Sequence, residues 1–89
     1  MGIPLYHLRI IAKIEHRRNF TLQSWDRRDI IFAALENAGF RKLWDFETRT
    51  SHCIGWEYYF FNHQSLMARV TICQIPGKHI EVQFCYPNY

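Results

Sequence analysis

Eighty-nine residues suffice for one domain with one core, because a chain this short buries only a little over ~60% of its extended surface and cannot divide that between two. Apolar content of 48% beside charged content of 21% lies in the globular range and argues against disorder. The formal charge of +3 permits contact with a polyanion without demanding it, since it is an ordinary solubility charge for a small domain.

At the N-terminus, Arg9 arrives before any long apolar stretch develops, which argues against a secretory signal. Tyr6 stands where a myristoylation signal needs Ser or Thr, and Cys85 is one residue too far from the end for prenylation. No segment approaches the ~18 apolar residues that span a bilayer. Cys53, Cys73 and Cys85 are an odd number without a C-x-x-C, a poor disulfide framework for a secreted chain. A cytoplasmic protein with no membrane partner is the expectation.

From Leu5 to Glu15 the residues alternate, with Tyr6, Leu8, Ile10, Ala12 and Ile14 on one side and His7, Arg9, Ile11, Lys13 and Glu15 on the other. That period predicts a half-buried strand. His16-Arg17-Arg18-Asn19 breaks it as a polar loop. Ser24 is placed to cap a helix over Trp25 to Ala38, with Asp26 and Asp29 near its positive end. Ile31, Ala34, Leu35 and Ala38 form its apolar stripe, and Gly39 ends it.

Beyond Gly39 the helical period does not recur. Trp44, Phe46 and Thr48 alternate with Asp45 and Glu47, and Arg49 to His52 reads as a turn. Ile54 to Phe61 is an aromatic strand, followed by a turn at Asn62 to Ser65. Leu66 to Ile75 sets Leu66, Ala68, Val70 and Ile72 against Met67, Arg69, Thr71 and Cys73. Pro76-Gly77-Lys78 signals a tight turn, and Ile80, Val82, Phe84 and Tyr86 mark a final strand. The expected fold is α+β, with a single helix on one face of a mostly antiparallel sheet in the order β-α-β-β-β-β.

Chemistry finds little purchase. His52, Cys53, His63, Cys73, His79 and Cys85 lack the paired spacing of a structural zinc site, so no metal or other cofactor is expected. A nucleophile needs a base in reach and an oxyanion stabiliser, and no linear pattern supplies them. His63 in its polar turn is more economically a solvated residue than a general base. The expectation is a protein that is not an enzyme.

What stands out is Trp56-Glu57-Tyr58-Tyr59-Phe60-Phe61, which puts aromatic side chains on both faces of one strand. If Trp56, Tyr58 and Phe60 face the helix, Tyr59 and Phe61 project from the other side, with Ile11 and Met67 as expected neighbours. Large aromatics bury ~150 to 250 Å² each, so a face of this kind suits a protein interface. These four residues are the candidate protein-binding site of a small regulator or inhibitor of the kind phages and mobile elements carry. It would dock on another protein through that face or an edge strand, or pair with itself as a homodimer.

The alternative partner is RNA or single-stranded nucleic acid. Basic doublets stand at Arg17-Arg18, Arg27-Arg28 and Arg41-Lys42, and Arg17, Arg18, Arg9, Lys13 and Arg69 are the candidate phosphate contacts. Sheet-based RNA binders combine such residues with stacking aromatics. Their Gly-aromatic signature is missing here.

Overall fold

The computed structural model describes residues 2–23, 27–75 and 77–86. The elements in chain order are α1 (Leu5–Glu15), β1 (Phe20–Leu22), α2 (Arg28–Asn37), β2 (Arg41–Arg49), β3 (Ile54–Phe61), β4 (Met67–Ile75) and β5 (His79–Cys85). The strands form one antiparallel sheet in the order β1-β5-β4-β3-β2. The α+β class and the antiparallel meander of β2 to β5 agree with the alternation of the sequence. The single helix and the strand-first order do not.

Leu5–Glu15 is a helix, and the reason lies in which of two overlapping periods is buried. His7, Ile10, Ile11 and Ile14 fall at steps of three and four, and Ile10 and Ile14 are buried while Leu8 and Ala12 are exposed. Eleven residues also exceed an ordinary strand, and Leu, Ala, Arg, Lys and Glu favour the helix. Pro4, with φ −57° and ψ 148°, sits at the N-cap, and its own fixed φ makes it a natural start. At the other end Arg17 takes a left-handed φ of 55°. The Arg18 N–H then donates to Lys13 O at 2.9 Å, closing the terminus as a Schellman turn.

The strand that does exist in this region is the short β1, whose Phe20 and Leu22 pair with Val82 and Ile80 of β5. Asn19 extends that edge, since its Oδ1 accepts the Phe84 N–H at 2.8 Å. α2 ends as expected: Gly39 has φ 94°, and the Phe40 N–H donates to Leu35 O at 2.9 Å. The expected cap Ser24, the helix start at Trp25, Asp26, the turn residue Pro76 and the terminal 87–89 lie outside the described residues.

Both helices pack on one face of the sheet. Ile10 and Ile14 of α1, Ile31, Ala34 and Leu35 of α2, and Phe60, Ala68, Val70, Ile80 and Val82 of the sheet join one buried cluster with Phe40. Phe32 of α2 meets Tyr58 at 4.9 Å and Phe60 at 5.4 Å between ring centroids. Trp56 shares this side but lies beyond the helices and is 40% exposed. The molecule measures 40 × 35 × 17 Å, and a thickness of 17 Å accommodates a sheet and one helix layer about 10 Å away.

Candidate functional site

The second face of the sheet has no covering element among the described residues. Cross-strand register arranges it in rows: Trp44, Tyr59, Arg69 and Gln83 lie side by side, and Phe46, Glu57, Thr71 and Glu81 form the row beside them. Phe61 pairs with Met67 in the next row. Tyr59 is the hub of the aromatic part, stacked on Trp44 at 5.6 Å and 24° and on Phe46 at 5.5 Å and 18°. Trp44 also tilts against Phe61 at 5.5 Å. These offset arrangements suit the ring quadrupoles. They leave Trp44 48% and Phe46 43% exposed.

Polar groups complete the face. The Tyr59 hydroxyl donates to Glu57 Oε1 at 3.4 Å, and the Arg69 guanidinium donates to the Gln83 side-chain oxygen. Arg69 Nε is shielded from solvent and has no acceptor among the described residues, a costly state for a charged donor. The face therefore carries an aromatic block along β2 and β3 and a charged block along β3 to β5.

Tyr59, Phe61 and Met67 of the candidate protein site are brought together here. Ile11 is not: it lies on α1, partly buried against the core on the opposite side of the sheet, because its segment is helical. Trp44 and Phe46 supply the aromatic surface that Ile11 was expected to extend. Their alternation with Asp45 and Glu47 was the available signal, and a hairpin from β2 to β3 necessarily lays that alternation alongside Tyr59 and Phe61.

β2 is also one of the two edge strands of the sheet, and it is blunted. The register slips between Lys42 and Trp44, and Leu43 at the slip is 60% exposed. On the helix side of the strand Lys42 Nζ lies 2.7 Å from Asp45 Oδ2, and this hydrogen-bonded carboxylate raises the ammonium above its ordinary pKa. Bulges and charges of this kind discourage strand addition.

The candidate phosphate contacts divide. Arg9, Lys13 and Arg18 line a shallow groove of about 290 Å³ on α1 with Ala12 and His16. Arg17 is near them but folds back, donating from Nη1 to Glu15 O at 2.8 Å and lying 5.4 Å over the Phe40 ring. Arg69 is on the other face of the sheet. The basic groove and the stacking aromatics thus sit on opposite sides of the molecule.

The remaining candidates form no reactive constellation. His63 is exposed in the β3–β4 turn, where Asn62 Oδ1 accepts the Gln64 and Leu66 N–H groups. Cys53 neighbours the buried Cys73, and burial, helped by a hydrogen bond to Cys73, pushes its thiol up from 9.0 to about 12. A thiol so disposed is a poor nucleophile near neutral pH. Among the described residues no three His, Cys, Asp or Glu side chains converge as metal ligands, and no helix is long and apolar enough to cross a membrane. The chain matches no protein-family model, no curated protein and no solved structure.

Proposed function

We propose that this is a non-enzymatic protein-binding protein, a regulator or inhibitor in kind, acting in the cytoplasm and working through the open sheet face. The observation that carries this reading is the exposed aromatic stack of Trp44, Phe46, Tyr59 and Phe61 on a face that no described element covers. With Met67, such a surface amounts to on the order of 400 Å², the size of the largest apolar patch on a typical monomer. Covering it gains roughly 10 kcal/mol at ~25 cal/mol/Å², enough to offset much of the ~4 to 15 kcal/mol that association costs. The face is favoured over the edge strand because β2 carries a bulge and paired charges.

Trp44→Ser combined with Tyr59→Ser tests the reading, because neither side chain belongs to the buried core. Sedimentation and affinity capture are compared for wild type and variant. The expected result is a protein partner or a self-associated species that the variant loses. A wild type that stays monomeric and captures the same proteins as the variant overturns the reading.

The nucleic-acid alternative has one observation in its favour. Arg9, Lys13, Arg17 and Arg18 face the single carboxylate of Glu15 in residues 1–18, so the chain's entire formal charge of +3 resides there. Its stacking platform, however, lies across the sheet from that charge. A raised 260-to-280 nm absorbance ratio in purified protein would favour it.

A further inference from the structure

We infer that the partner of the open face is a second copy of this chain, packed face to face about a two-fold axis that runs across the strands between the Trp44 row and the Phe46 row. The inference rests on the reading of that face as a protein-binding surface and names its occupant. Size is the first ground. Four strands about 4.8 Å apart and some 25 Å long have a footprint near 20 × 25 Å, which with side-chain relief is on the order of 800 Å² per protomer. That makes about 1,600 Å² in all, the standard size of a specific interface.

Self-complementarity is the second ground. A two-fold contact requires that what one row presents, the opposing row accepts. An axis crossing the strands between the two rows lays each row over the other row of the partner. Trp44 then meets a second Phe46, extending the aromatic stack across the interface. The Tyr59 hydroxyl, already turned toward its own Glu57, meets a second Glu57.

Arg69 falls over a second Thr71, between the carboxylates of a second Glu57 and a second Glu81, which flank Thr71 in its row. Its guanidinium, partnered among the described residues only by Gln83, gains two acceptors. The competing axis, parallel to the strands between β3 and β4, lays Phe46 on a second Glu81 and mismatches the face. Two twisted sheets in the first arrangement pack at the ~30° usual in a sandwich, and a heterologous partner would have to displace the second copy.

Charge reversal tests this register. Arg69→Glu faces two carboxylates across the axis, and Glu57→Lys with Glu81→Lys faces Arg69 with two ammonium groups. Each variant alone should self-associate on the order of thirtyfold more weakly than wild type. Mixed, they should form a 1:1 heterodimer, because the reversed charges then meet each other at one copy of the contact while the native pairing persists at the other.

Sedimentation equilibrium measures the masses, with far-UV circular dichroism showing that each variant is folded. Trp44→Ser, at an exposed position, supplies a monomer without touching the charges. Dimeric wild type with heterodimer rescue supports the inference. Monomeric wild type at every concentration overturns it, as does self-association indifferent to both reversals. If the wild type is monomeric while Trp44→Ser still abolishes capture of another protein, the occupant is wrong and the binding face stands.

Discussion

At Gly55 the backbone of β3 leaves no room for a side chain. A Cβ there would lie 1.9 Å from Ile72 O, because the register between β3 and β4 slips between Ile54 and Gly55 and brings the two backbones together. Carbonyl oxygens in a paired ladder cannot rotate aside without breaking the sheet. Gly55→Ala should therefore destabilise the fold by about 3 kcal/mol or more, seen as a lower denaturant midpoint. Gly39→Ala meets open space but must hold φ at 94°, so its loss should be nearer ~1 to 2 kcal/mol. The order of the two variants is the discriminating result.

Cys53, two residues upstream, makes stability depend on alkaline pH. Its thiol pKa is raised in the folded chain from 9.0 to about 12, so the native state holds a proton that the unfolded state releases. The resulting stabilisation is complete below about pH 9 and is lost as pH climbs toward about 12. Urea midpoints across that range should fall more steeply for wild type than for Cys53→Ser. Peptide mapping after iodoacetamide at pH 8 should find Cys53 labelled slowly in the native protein and rapidly in urea.

Among the elements, α1 provides the clearest test. Strand-like alternation puts Leu8 and Ile14 on the same side, whereas the helix buries Ile14 completely and leaves Leu8 47% exposed. Ile14→Ala should cost ~2 to 5 kcal/mol through the cavity it leaves, and Leu8→Ala should be nearly silent. Equal losses would contradict the helical placement. The ambiguity was physical: Tyr6, Leu8 and Ala12 are apolar yet exposed, so they mimic the buried partners that a strand would have required. The later strands were legible because most buried side chains alternate with a less buried one, as Ala68, Val70 and Ile72 do with Arg69 and Thr71. The site was legible in part. Tyr59 and Phe61 follow from the period of one strand, but Trp44 and Phe46 join them only through hairpin register, which no single segment contains.

For the molecule as a whole, the net positive charge lies on the helix side of the slab and the exposed aromatic stack on the other. The carboxylates and cations beyond residue 18 balance, leaving the net positive charge on α1 and the turn after it. Arg9 and Arg18 have no carboxylate within ion-pair distance among the described residues. Any polyanion should bind there and independently of the open face. Retention on heparin at low salt should fall with Arg9→Ala combined with Arg18→Ala and be unchanged by Trp44→Ser combined with Tyr59→Ser. With only Arg9, Lys13, Arg17 and Arg18 to meet phosphates, the affinity of single-stranded DNA should fall with salt at a log–log slope no steeper than about −3, at ~0.7 per contact. A steeper slope, or one abolished by the aromatic changes, would require Arg69 and the open face to take part and would join the two surfaces into one site. A shallow slope confined to α1 leaves the open face free for the proposed protein contact, which draws on burial of apolar rings as well as on charge.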